Sequence, residues 1–383
     1  MKKAQLAVVG CGKLAQNQHI SNILKSRNAR LHTFCDLDTG VLEDLMRRFP
    51  GVAASTDFKQ VLANPEIDGV VIATREDMHA PLAVEALLAG KHVYVEKPLA
   101  ETPEECALVV DAQQRSGKKL LVGMNRRMAP AYREAKEIVK RHGGAKALYY
   151  RIADAYAIDW GKDFGAGKRL IHEVCHIFDI CRFMTESEVE TVYCLSRRQD
   201  EENIVLQFAS GATAMILSSG YAPWETPKEH LEAVAEVGVL TVDEFCELHT
   251  YGMENEVLCK KYPGHSHIER EQSHVKWIAE AGLEGAVGLR RMLADVQRRV
   301  ETLDHSSEEY KREREFLDHR LPHINYSVDK GWLGAIEHFA DIILNGVAVE
   351  AATAQDALAA ARITRAAVIS RAENRIVSMK EIQ

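Results

Sequence analysis

Across the first third of the chain, short apolar runs alternate with segments of helical spacing. "QLAVVG", "ARLHTFCD", "DGVVIAT", "KHVYVE" and "KKLLVGM" read as strands. "AQNQHISNILK", "TGVLEDLMRRF", "APLAVEALLAG" and "TPEECALVVDAQQRSG", set between them, read as helices. Such alternation builds βαβ units, and βαβ units build a parallel sheet with both faces covered. This predicts an α/β domain over residues 1–124. A chain of 383 residues is too long for one ordinary core, so residues 125–383 are expected to form a second domain.

The bulk properties remove several function classes. A net charge of −8 offers no field to attract nucleic acid or an anionic membrane. No uninterrupted apolar run is long enough to span a bilayer. The start, "MKKAQLAVVGCGKLAQ", is basic and then apolar, as a signal peptide would be. Its apolar part is short, broken by glycines and followed by Lys13, so it reads as a strand. Eight cysteines without C-x-x-C pairs suit reduced thiols in a cytoplasm better than a disulfide framework.

The first strand leads into Gly10-Cys11-Gly12-Lys13-Leu14-Ala15, a G-x-G-x-x-A that opens a helix. Gly10 allows a tight turn, Gly12 lets the backbone approach a pyrophosphate, and Ala15 lets the helix pack close to the sheet. The helix N-terminus offers free N–H groups to the phosphates. Asp36 ends the second strand, at the distance expected of a ribose-binding acid. A carboxylate there accepts from the ribose hydroxyls and repels a 2′-phosphate, so the expected cofactor is NAD rather than NADP.

"ATREDMHAPLAVEALLAGKHVYVEKPLA" (residues 73–100) resembles the Gfo/Idh/MocA oxidoreductases, the family of glucose–fructose oxidoreductase and inositol dehydrogenase. The likeness continues through "GMNRRMAP" and resumes in "GAGKRLIHEVCHIFDICRFM" and near "AIEHFADIILNG". It implies a Rossmann domain followed by an α/β domain whose open, mainly antiparallel sheet carries the substrate site and often mediates oligomerisation. It implies that Ala73, Thr74, Arg75, His79, Glu96, Asn125 and Arg126 line the cofactor. Arg75 departs from the family, which often has proline there. The glutamate-lysine-proline triplet is Glu96-Lys97-Pro98 here, and Lys97 is implied as a catalytic residue. The residues agree, because Lys97 lies just beyond a parallel strand, where open α/β sheets bind ligands. A lysine there can move a proton or orient an alcohol.

His172-Glu173-Val174-Cys175-His176 matches H-E-x-x-H, a pattern that on a helix can hold zinc. A helix over 170–184 puts His172, His176 and Asp179 on one face. Zinc needs a third protein ligand, and His230, His249, His265 and His267 complete no recognised spacing. The resemblance instead implies His176 as proton donor or acceptor to a substrate hydroxyl. Many members have aspartate at the position of His172, so His172 or Glu173 is expected to take over that part. The match to a zinc motif is read as a coincidence of spacing, with no metal expected.

In the second domain, "KALYYRIADAY", "VETVYCLSRR", "ENIVLQFASGATAMILSSGY" and "HLEAVAEVGVLTVDEFCELHTYG" read as strands of a largely antiparallel sheet. Residues 263–325 are charged and helical, with Leu289, Val296, Leu303, Tyr310 and Leu317 seven apart, and read as an inserted helical hairpin. Ser306 to Glu309 suggests a capping box at the start of its second helix. The expected function is hydride transfer between NAD and a hydroxyl of a sugar, sugar derivative or cyclitol, in a homodimer or homotetramer built through the C-terminal sheet. Two alternatives are a glycosidase that recycles NAD through a transient keto-sugar, and a non-catalytic dinucleotide sensor.

Overall fold

The computed structural model describes residues 2–156, 168–264, 272–315 and 327–382. The chain divides into two compact units. One runs through Met128 and regains Gly331–Arg365; the other comprises Ala129–Lys330 and Ala366–Glu381.

The first unit is built on six strands: β1 (Ala4–Val9), β2 (Ala29–Cys35), β3 (Ala53–Ser55), β4 (Gly69–Ile72), β5 (His92–Val95) and β6 (Leu120–Val122). Their order is β3-β2-β1-β4-β5-β6, and every neighbouring pair is parallel. The expected parallel sheet is therefore present, and the strand order reverses between β1 and β4. Strand β3 is too short, with too little apolar character, to stand out in the sequence. The helix Pro103–Ser116 shows how local chemistry sets an element's bounds. Thr102 and Glu105 form a reciprocal capping box, Pro103 occupies the first turn, and Gly117 closes the helix in the left-handed conformation.

The division differs from a single cut after residue 124. Helix Trp332–Asn345 returns to the first unit and buries Ala335, Ile336, Phe339, Ala340 and Ile342 in the same core as Leu6, Val8, Phe34 and Tyr94. Gly69 makes room for it, since a Cβ there would lie 3.2 Å from the Phe339 ring. The apolar face of this helix matches the uncovered side of the sheet, and burial of that face sets the boundary.

Among the described residues, the second unit carries a nine-stranded sheet. Its strands are β7 (Ala145–Ala153), β8 (Val189–Arg198), β9 (Glu201–Phe208), β10 (Thr213–Ser219), β11 (Glu229–Ala235), β12 (Val239–Asp243), β13 (Glu247–Tyr251), β14 (Cys259–Lys261) and β15 (Val377–Ser378). The order is β14-β13-β12-β11-β7-β10-β9-β8-β15, antiparallel throughout except for the parallel pair β7 and β10. The expected hairpin is there: β9 and β10 pair antiparallel, and Gly211 supplies the positive φ at their turn. The strands alternate buried and open positions, as one covered face requires.

The charged segment contains helices Gln272–Ala281 and Leu283–Thr302, separated by Gly282 at φ +64°, and a further helical stretch over 308–315. Tyr310 packs on Val296 and Val300, so the heptad positions do meet; Leu317 lies outside the described residues. The cap differs from the expected box. Ser307 Oγ accepts the Tyr310 N–H, while Asp304 accepts the backbone and side chain of Ser306, so Asp304 takes the turn that Glu309 was expected to close. No helix among the described residues is long and apolar enough to cross a membrane.

One buried chain of polar contacts ties these helices to the sheet. The β12–β13 turn has positive φ at both Glu244 and Phe245, a conformation that favours Asn and Gly. The strain is offset by burial of the Phe245 side chain and by the partners of the Glu244 carboxylate. Phe245 packs 5.1 Å from the Tyr132 ring, and Glu244 accepts the Glu229 N–H at 2.9 Å and pairs with Arg290 at 2.8 Å. Glu229 in turn accepts the Tyr150 hydroxyl at 2.7 Å. Replacing Arg290 with alanine leaves the Glu244 carboxylate buried without its cation. Arg290→Ala should lower stability by about 3–5 kcal/mol, read from the shift of the denaturant midpoint. A loss within ~0.5 kcal/mol would mean that the helix is not anchored through this pair.

Candidate active site

The first unit brings its candidate residues to one edge of the parallel sheet, beyond the carboxyl ends of the strands. Gly10 follows β1 at φ +81°, and its N–H donates to the Cys35 carbonyl at 2.8 Å. A Cβ at Gly10 would lie 2.7 Å from the Ala73 carbonyl oxygen, so the turn after β1 and the turn after β4 are in near contact. A Cβ at Gly12 would meet nothing within 4 Å. The loop therefore faces open space where the strand order reverses, the place where doubly wound sheets bind ligands. Lys13 is exposed, Leu14 is half-buried and Ala15 is buried. Asp36 ties the loop to the end of β2: one oxygen accepts the Cys11 N–H at 2.6 Å and the other accepts the Asp38 N–H at 3.0 Å. A carboxylate has about four acceptor sites, so two remain for ribose hydroxyls. These residues fit a dinucleotide.

Beyond β5 the chain runs into Glu96, Lys97 and Pro98. Glu96 is buried and lies 2.9 Å from His19 Nε2. His19 sits between the rings of Tyr94 and Trp332, each 5.5 Å away. Gly123 leaves space for the carboxylate, since a Cβ there would lie 2.7 Å from Oε1. The Glu96 carboxylate is engaged by His19 and holds the chain from which the half-buried Lys97 projects. The Glu96 carboxylate also accepts the Lys97 N–H at 3.2 Å.

His79 acts on the same loops. It is buried, with Nδ1 2.8 Å from the Pro98 carbonyl oxygen and Nε2 3.1 Å from that of Thr74. It lies between the turns after β4 and β5, and a neutral ring donates its one N–H to one of these two carbonyls. Arg75 is exposed and pairs with Asp77 at 2.8 Å. Asn125 and Arg126 are buried in a short turn, Asn125–Met128, after β6.

The second unit holds the histidine motif. The α-helix starts only at Cys175; Leu170–Val174 form a wider π-type turn, so the expected helix over 170–184 is shorter at its start. That turn follows Arg169, which is fully buried and fixed on all sides. Arg169 pairs with Asp154, donates to Ser218 Oγ at 3.0 Å and to the Ile152 carbonyl at 3.1 Å, and gives its backbone N–H to Asp200 at 3.2 Å. His172, His176 and Asp179 are all buried. Glu173 is engaged with Lys228 at 2.9 Å, and the same ammonium reaches Asp154 at 2.9 Å. Burial works against the Lys228 ammonium, but Asp154, Glu173 and Glu229 outweigh it and hold its pKa above the usual lysine range. A glutamate held in this way is a strut, unlike the free general base that a zinc motif requires.

Several residues that build these sites had no sequence signal. His19 could have been noticed as a polar residue on the inner stripe of the first helix. Lys228, Asp154 and Arg169 come together from three distant segments, and no spacing announces them.

The comparisons agree with this frame. Residues 4–124 match the model of an oxidoreductase family described as having an NAD-binding Rossmann fold. A 1-carboxy-3-chloro-3,4-dihydroxycyclohexa-1,5-diene dehydrogenase of Comamonas testosteroni is 29% identical over 237 residues; the match covers 58% of this chain and 59% of that relative. A scyllo-inositol 2-dehydrogenase (NAD(+)) of Bacillus subtilis is 28% identical, with 58% of this chain and 69% of that one covered. In fold, the chain is similar to the scyllo-inositol dehydrogenase of Lactobacillus casei, solved with NAD(H) and scyllo-inositol. The TM-score is 0.71 at 18% identity, covering 99% of this chain and 100% of that one.

The charge network beside the motif makes stability depend on pH. Glu202 accepts from Ser218 and pairs with Arg371 at 3.0 Å. Burial pushes its carboxyl up to about 7 from an ordinary 4.5, despite the pull of Arg371 and with some help from Asp200. Between those values the folded chain holds a proton that the unfolded chain has released. The contribution of Glu202 is therefore complete below pH 4.5 and is lost as pH rises through about 7. Glu202→Gln should flatten this fall, a difference on the order of 1–3 kcal/mol between about pH 5 and 8. Urea midpoints across that range test it, and identical slopes in the two proteins would refute it.

Proposed function

From the match of residues 4–124 to an NAD-binding oxidoreductase family, we propose that the chain is a Gfo/Idh/MocA-type oxidoreductase and an NAD-dependent dehydrogenase of a ring hydroxyl. A cyclitol or related polyhydroxylated ring is the substrate. The observation that carries the proposal is the grouping of Gly10, Gly12, Asp36 and Lys97 after β1, β2 and β5 of one sheet, with the loop at Gly12 open. The names of the similar proteins support the substrate class, since each acts on a six-membered carbocycle bearing hydroxyls. Those names also favour dehydrogenation over redox-neutral glycoside cleavage or a non-catalytic sensor.

Bound NAD supplies the hydride acceptor; the chain binds, orients and handles the proton. The backbone at Gly12 and the helix that follows hold the pyrophosphate. Asp36 holds the ribose hydroxyls. Lys97, its loop held by Glu96 and packed against His79, polarises the substrate hydroxyl. His176 is the proton acceptor that the family resemblance implies, and His172 orients it in the position where that family often has aspartate. The second unit's sheet mates with another copy of the chain, supported by the outward row of Leu195, Val205 and Met215, which are 46%, 40% and 59% exposed.

Two measurements test this. NAD should bind better than NADP, and Asp36→Ala should narrow the gap by about 1.5–3 kcal/mol, the worth of a charged hydrogen bond. Equal affinities in the unmodified protein would end the cofactor assignment. Lys97→Ala and His176→Ala should each bind NAD normally yet slow single-turnover NAD reduction with inositols by roughly 10²–10⁴-fold. Near-normal reduction in Lys97→Ala would remove the central residue of the proposal.

A further inference from the structure

Metal-type ligands do converge in this chain, away from the histidine motif. We propose that Glu247, His249 and Cys259 form a site for a thiophilic divalent cation of the zinc type, on the outer strands of the second unit's sheet. Strands β13 and β14 are antiparallel, and His249 lies directly opposite Cys259. Glu247 stands two residues before His249, so the strand period puts it on the same face. One ligand atom from each of the three lies within 4.8 Å of the others. Ligands around a tetrahedral zinc are separated by roughly 3.5 Å, given bonds of about 2.0–2.3 Å, so small side-chain rotations bring all three into place.

The chemistry selects the ion. A thiolate, an imidazole and a carboxylate suit zinc, whereas magnesium and calcium demand oxygen ligands throughout. Three protein ligands leave one position for water. Cys259 is exposed, while the chain's other seven cysteines are buried. Its thiol can therefore yield its proton to water as the metal binds.

The ligands are held in advance. Glu247 Oε2 accepts the Leu283 N–H at 2.9 Å, which fixes the carboxylate. Its Oε1 lies 3.2 Å from His249 Nε2, and the His249 ring stacks against Tyr251 at 6.2 Å. The site also has something to fasten. Strand β14 is three residues long, exposed throughout, and paired on one side only. A metal would clip it to β13 and, through Glu247, to the start of helix Leu283–Thr302. The proposed role is to fasten the edge strand, and it does not depend on the proposed dehydrogenase activity.

The test uses the full chain, stripped with a chelator and titrated with cobalt(II) as a spectroscopic probe. One cobalt per chain should bind, with a thiolate-to-cobalt charge-transfer band in the near ultraviolet. Cys259→Ser should abolish the band, and His249→Ala should weaken binding at least tenfold, as expected of a lost ligand. His172→Ala should leave the titration unchanged. Zinc should raise the melting temperature of the unmodified chain and not that of Cys259→Ser, whose folding is checked by circular dichroism. The proposal is overturned by the absence of a thiolate band, by a band that survives Cys259→Ser, or by loss of cobalt binding in His172→Ala.

Discussion

A carboxylate buried under a ligand loop must be matched, and much of the first unit's active edge is arranged around that need. Glu96 lies at the end of β5 with almost no access to water. An unmatched charge there would be worth several kcal/mol of destabilisation. His19 meets it from the helix that opens after Gly12, so the phosphate-binding turn and the lysine loop share one buried contact. Tyr94 and Trp332 wall the imidazole, and the missing side chain of Gly123 gives the acid its space. His79 adds a second tie between neighbouring turns. Lys97 thus projects from a loop held by buried contacts, as the proposed role of meeting a hydroxyl would require.

The second unit solves a similar problem on a larger scale. Arg169 brings a full positive charge into the interior, and the chain surrounds it with Asp154, Ser218, Asp200 and a backbone carbonyl. Lys228 extends the network to Glu173. Networks of this kind are worth little as net stability, but breaking one is severe, so they fix a single arrangement. Here the arrangement fixed is the turn that carries His172 and the helix that carries His176.

The parallel sheet was legible because its apolar strands and helical spacings alternate over more than a hundred residues, and the cofactor turn because its glycines sit between a strand and a helix. The strands of the second sheet were legible from alternation, but their order was not: β7 and β10 pair across fifty-nine intervening residues, and no local pattern encodes that. The H-E-x-x-H match illustrates the limit on the site side. Its spacing invites a metal, yet the partner that engages its glutamate is Lys228, fifty-five residues away, which no local pattern announces. Glu247, His249 and Cys259 show the converse, since register rather than sequence spacing brings a thiol to an imidazole. The break at Gly282 was missed because a charged helical pattern runs through it, while the cap lies at Ser307, one residue after the serine expected.

The return of helix Trp332–Asn345 to the first unit has a consequence for how the chain is made. A ribosome delivers β1 to β6 long before it delivers Trp332 and Phe339. During that interval the sheet has one face unfinished, with Leu6, Val8 and Tyr94 lacking the residues that cover them in the mature fold. The dinucleotide-binding domain is therefore complete only after the second unit's sheet has been synthesised up to β14. Folding of this chain cannot proceed strictly from its N-terminus, and its period of greatest exposure to aggregation falls in the middle of its own synthesis.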